Sequence, residues 1–172
     1  MKTAIFAIAV ALTLARPAVG QVAPDDAQIA HIVVTANQVD IEAGKLAETK
    51  ASSAEVKAFG KQMVTDHSGV NKLATDLANK LGVKPEDNPT SQSLKQGGDA
   101  NLKNLQGQSG VAFDKAYIAH EVAYHQAVID AIDQTLVPNA KNEELKALIV
   151  KVRPAFVAHL EHAKQIQAKV SK

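Results

Sequence analysis

Apolar residues recur three and four positions apart along most of this chain, the spacing of one face of an α-helix. Ile29, Ile32, Ala36, Val39, Ala43 and Leu46 form one such stripe and predict a helix over 24–50. Val56, Phe59, Met63, Val70, Leu73 and Leu77 form a second over 53–81, with Ser53 placed to cap it and Gly82 to end it. Phe113, Tyr117, Val128 and Ile132 predict a third over 111–136. A fourth follows Pro138 and Asn139 and carries Leu145, Leu148, Val152, Phe156, Ala163 and Ile166. Pro154 lies inside it and, lacking a backbone donor, is expected to kink it.

Short turns join the first helix to the second and the third to the fourth, which predicts two antiparallel hairpins. Residues 82–110 differ. They hold Pro85, Pro89 and a polar SQS run; Leu94, Leu102 and Leu105 would support a short helix there, which the Gly97-Gly98 pair weakens. A connection this long can travel the ~40 Å length of the second helix and bring the chain back to its start. The second and third helices would then be parallel. The expected fold is therefore all-α, a ferritin-like four-helix bundle with one long crossover. An internal repeat points the same way. Lys57, Ala58, Val64, His67 and Val70 recur 58 positions later as Lys115, Ala116, Val122, His125 and Val128, with Phe59 matched by Tyr117. Parallel duplicated helices set such residues side by side.

Residues 1–20 stand apart. Met1 and Lys2 precede an apolar run to Ala15, followed by Arg16, Pro17 and Ala18-Val19-Gly20, the layout of a secretory signal peptide. Residues 21–172 would form one exported, periplasmic domain without a transmembrane anchor, since the run falls short of the ~20 residues a spanning helix needs. The chain has no cysteine, which excludes disulfides and thiolate ligands. Removing Lys2 and Arg16 from the 19 basic residues leaves 17 against 18 acidic ones, a net charge of −1. Such a balance argues against nucleic acid or an anionic membrane as the main partner. Envelope proteins or further copies of the chain are the partners it leaves. No glycine-rich phosphate loop or nucleophile elbow is present, so no catalytic constellation emerges.

The candidate chemistry is polar residues within apolar stripes. His67 lies between Met63 and Val70, His125 between Glu121 and Val128, and His159 between Phe156 and Ala163. Asp66 adjoins His67, and Glu42 borders the first stripe. Buried ionisable groups are costly unless paired or metal-bound, and helical bundles build metal sites from such side chains. His67 and His125 each lie about fourteen residues past their helix starts and so share one level. Reflection through turns near residues 51 and 138 puts Glu42 and His159 on a second, about 10 Å away, with Glu121 between. One mononuclear transition-metal site, or two weak ones, is expected rather than a di-iron centre, because the paired Glu-x-x-His signature is missing. The alternative is that these residues only fix the packing of the helices.

Glu42-x-Gly44-Lys45-Leu46-Ala47, Val56-Lys57-x-Phe59, Met63-Val64-x-Asp66-His67, Phe113-Asp114, Pro154 and His159-Leu160-x-x-Ala163 resemble a family of exported bacterial proteins. It is catalogued as domain of unknown function 4142 and regarded as ferritin-like. The resemblance implies a helical bundle in the bacterial envelope with metal or stress roles. The family typically has Asp before its second histidine, where this chain has Tyr124.

Overall fold

A computed structural model describes residues 23–171; the leader expected over 1–20 lies outside them. Among the described residues all regular structure is helical. There are five long helices: α1 (Asp26–Lys50), α2 (Ala54–Leu81), α3 (Pro89–Gln106), α4 (Gly110–Ala131) and α5 (Glu143–Val170). A π-helical stretch, Ile132–Leu136, and a short turn, Val137–Asn139, carry α4 toward α5. None of these helices is long and apolar enough to cross a membrane.

Local chemistry sets most of the boundaries. Asp25 and Gln28 form a reciprocal capping box at the start of α1, and Asn88 and Ser91 form another at α3, where Pro89 opens the helix. Asn142 accepts from the backbone N–H groups of Glu144 and Leu145 at α5. Ser53 caps α2, and Gly82 ends it in a left-handed conformation, φ 64°. Each such cap stabilises its helix by about 1 kcal/mol.

The connection over 82–110, where the Gly97-Gly98 pair weakens the case for a short helix, contains α3, a helix of 18 residues. Gly98 explains why. A Cβ there would lie 2.8 Å from both methyl carbons of Val39, so the glycine allows α3 to lie directly against α1. Gly97 faces open space. Asn88 Nδ2 donates to Gln28 O at one end of α3, and Lys50 Nζ to Gln106 O at the other, so α3 runs parallel to α1. It thereby returns the chain along the bundle.

The expected orientation of α2 and α4 follows. Phe59 and Tyr117 pack with ring centroids 6.3 Å apart, and His67 and His125 at 5.6 Å. Both pairs keep the offset of the sequence repeat, so the two helices are parallel and in the repeat's register. Gly44 and Gly60 bring α1 and α2 into backbone contact, since a Cβ on Gly44 would sit 2.7 Å from Gly60 O. Asp114, near the start of α4, accepts from the backbone N–H groups of Ser52 and Ser53, each at 2.9 Å, and so ties α4 to the α1–α2 turn. α5 passes through Pro154 as one helix. Pro154 and Val150, whose carbonyl the proline leaves without its helical partner, are both exposed, so water can satisfy that group.

The apolar interior divides in two. Ile29, Ile32, Val128, Ile132, Ile149 and Phe156 belong to one cluster. Ala47, Phe59, Met63, Phe113, Tyr117 and Ile166 belong to the other, nearer the α1–α2 turn. Between these clusters α1, α2 and α4 bury polar residues: Asn37 and Asp40, His67, and Glu121 and His125. His159 on α5 borders the same layer.

Candidate metal centre

Three imidazoles converge in this layer. The His159 ring centroid lies 5.2 Å from that of His67 and 5.4 Å from that of His125. Phe156 closes one side, 5.0 Å from His67. One ring nitrogen from each histidine falls within 4.8 Å of the other two, and Asp40, Glu121 and His125 form an overlapping group of the same span. Ligand atoms of a tetrahedral zinc ion stand about 3.3 Å apart, so the nitrogens would draw inward to share one ion.

Each histidine has one nitrogen anchored by a fixed acceptor. His67 Nδ1 donates to Asn37 Oδ1 at 2.7 Å, and the Asn37 amide is oriented by its own donation to Val33 O. His125 Nδ1 donates to Glu121 O at 3.0 Å, one helical turn back. His159 Nε2 donates to Asp66 Oδ2 at 2.9 Å. The opposite nitrogens, His67 Nε2, His125 Nε2 and His159 Nδ1, are buried without a hydrogen-bond partner among the described residues. His67 Nε2 lies 2.9 Å and His125 Nε2 3.4 Å from Asp40 Oδ2, close enough for an ion pair but out of hydrogen-bond alignment. Both Asp40 oxygens and both Glu121 oxygens are likewise unpartnered.

The electrostatics divide the two carboxyls. Burial pushes Asp40 up, but the neighbouring His67 and His125 and the Glu121 carboxyl outweigh it and hold it at about 2. Glu121 is driven well above the ordinary carboxyl range, by burial first and then by the charge of Asp40. Burial holds His125 down to about 4 and also lowers His159. The layer thus presents one anionic carboxylate, one carboxyl that keeps its proton, and two imidazoles, His125 and His159, that resist protonation.

The family model described as a domain of unknown function (DUF4142) matches residues 11–166. The chain belongs to that family. Neither the curated proteins nor the solved structures yield a match.

Of the site residues expected from the sequence, this DUF4142 chain brings His67, His125, His159 and Glu121 together. Asp66 takes a different place: its side chain is 41% exposed, and it orients His159 from the rim. Glu42 is not part of the layer; it is partly exposed and accepts from Gln38 Nε2 along α1. The second level expected for His159 is also corrected. His125 faces His159, and Asp133 pairs with Arg153 farther along the hairpin. Both pairs are centred near Asn142 rather than residue 138, because the connection extends to the Asn142 cap. A midpoint moved by about four residues moves the residue facing His159 by about eight, from Tyr117 to His125, or roughly 12 Å, which puts His159 on the level of the other two histidines.

Asp40 and Asn37 went unrecognised in the sequence. Their signal was present: Val33, Ala36, Asn37, Asp40, Ala43, Gly44 and Ala47 continue one stripe at helical spacing, and all are buried. The larger residues Val39 and Leu46 drew the predicted face slightly aside from this stripe of small ones.

Proposed function

We propose that this DUF4142 protein is exported, has a ferritin-like architecture and holds a single divalent transition-metal ion in its central polar layer. The observation that carries this reading is the set of three clustered imidazoles, each anchored through one nitrogen with the other buried and unpartnered among the described residues, beside two carboxyls. Metal-binding histidines characteristically donate their other N–H to a carbonyl or carboxylate, which fixes the ring and its tautomer. Asn37, the Glu121 carbonyl and Asp66 do this here. His67 Nε2 and Asp40 Oδ2, 2.9 Å apart, need a proton or a cation between them. A metal ion would serve both histidines together, whereas a proton serves one.

His67, His125 and His159 would provide nitrogen ligands and Asp40 an anionic oxygen, with Glu121 as a further oxygen ligand. Imidazole with carboxylate suits zinc, iron, copper or nickel, and Glu121 would release its proton on joining Asp40 as a ligand. A groove between α2 and α5, lined by Gly69, Val70, Val152 and Ala155, reaches Asp66, His67 and His159 and offers a path inward. The packing-only reading accounts for the anchoring hydrogen bonds but leaves the inward-facing nitrogens without a purpose.

The deciding experiment is elemental analysis of protein purified without an affinity tag, beside a His67→Ala/His125→Ala variant. About one equivalent of metal, lost in the variant, is expected; equal trace content in both refutes the reading. Sequencing the N-terminus of periplasmic protein tests export, and a start near Gln21 is expected.

A further inference from the structure

A cavity of about 950 Å³ lies between α1, α4 and α5, on the side of the histidine layer toward the start of α1. It falls within the range of ordinary ligand pockets and has their character, an apolar lining with few polar groups. Ile32, Val33, Val128, Ile132, Ile149 and Val152 form its walls. At the inner end stand Asn37, Tyr124 and Phe156, the side chains that touch the imidazoles. From Leu136 to Tyr124 along α4 the depth is about 18 Å at the helical rise.

The outer rim is polar, with Asn88, Thr90, Thr135, Asn139 and Lys141. Its charges are unequally available. Asp25 is used by the N–H of Gln28, and neighbouring Asp26 by the N–H groups of Lys141 and Asn142. The exposed Lys141 ammonium forms no ion pair among the described residues. A long apolar chamber with an available cation at its mouth complements a molecule with one hydrocarbon chain and an anionic head. A charged head belongs in water at the rim, and the chain gains by leaving it.

We propose that this cavity binds a single-chain anionic amphiphile of the fatty-acid class, its tail lying along α1, α4 and α5 and its carboxylate beside Lys141. The site is separate from the metal ligands and stands whether or not an ion is bound.

Displacement of the fluorescent apolar probe N-phenyl-1-naphthylamine by laurate tests it, with dodecanol as the uncharged comparison. Saturable probe uptake at one equivalent and competitive displacement by laurate are expected. Ala131→Phe, which places a ring in the cavity, should abolish uptake while the protein keeps its helical circular dichroism. Thr135→Leu, at the rim, replaces it if that variant does not fold. Lys141→Gln should weaken laurate about threefold, the scale of an exposed ion pair, and leave dodecanol unchanged. Absence of uptake, or uptake that persists in the filled variant, overturns the site. Equal binding of laurate and dodecanol, unaffected by Lys141→Gln, overturns the anionic head.

Discussion

Metal-dependent stabilisation is the most direct consequence of three imidazoles sharing one buried space. The perturbation is addition of zinc to chelator-treated protein, compared with His125→Gln and with a His67→Gln/His125→Gln variant. Glutamine retains polar bulk in the layer while removing the ring nitrogens. A ligand that binds only the folded state stabilises it by about 2.7 kcal/mol when its free concentration is about a hundred times Kd. A domain of this size gains about 3 °C in melting temperature per kcal/mol, so the native protein should melt about 8 °C higher with metal. The double variant keeps only His159 among the three nitrogen ligands and should shift by less than about 2 °C under the same conditions. The single variant should fall between. Thermal unfolding followed by circular dichroism reads all three, and the shift on adding metal, rather than the absolute midpoint, is the quantity compared. That comparison separates ligation from packing losses, since removing His67 also leaves Asn37 Oδ1 without its partner. An equal shift in native and double-variant protein, or none in either, would refute the reasoning.

Asp66→Asn should keep a hydrogen bond to His159 and bind metal within a few-fold of the native protein, whereas Asp66→Ala should weaken it about tenfold or more, as measured by competition with a chromophoric chelator. Gly98→Ala should destabilise by about 1–3 kcal/mol in urea unfolding, because its methyl meets Val39, while Gly97→Ala should stabilise by about 0.5–1 kcal/mol. The reverse order would contradict the packing of α3 on α1. Asp114→Ala should cost about 2 kcal/mol and expose the Ser52 and Ser53 amides to faster hydrogen exchange.

Helical periodicity made the all-helical architecture legible, and at α2 the capping residues marked both ends closely. Ser53 and Gly82 were readable as the two ends of α2 because each acts through its own backbone neighbourhood. The repeat carried longer-range information, since the offset between His67 and His125 recurs in the packing of their rings. Failures arose where a local rule met a tertiary contact. Glycine at position 98 lowers helix propensity, yet the approach to Val39 demands it. The depth of His159 depended on a hairpin midpoint that the π-helical stretch and the Asn142 cap displaced. Asp40 was hidden because an acid read alone looks like surface, and only its spacing from Val33, Ala36 and Ala43 places it inward.

The repeated helices are not identical at the level one turn before their histidines: α2 has Met63 and α4 has Glu121, both sealed from solvent. Matching rings thus rest on unlike foundations, a soft thioether on one strand of the duplication and a hard oxygen donor on the other. The chamber has a polarity that its twin imidazoles alone would not give it, and a guest cation would settle off-centre, toward α4.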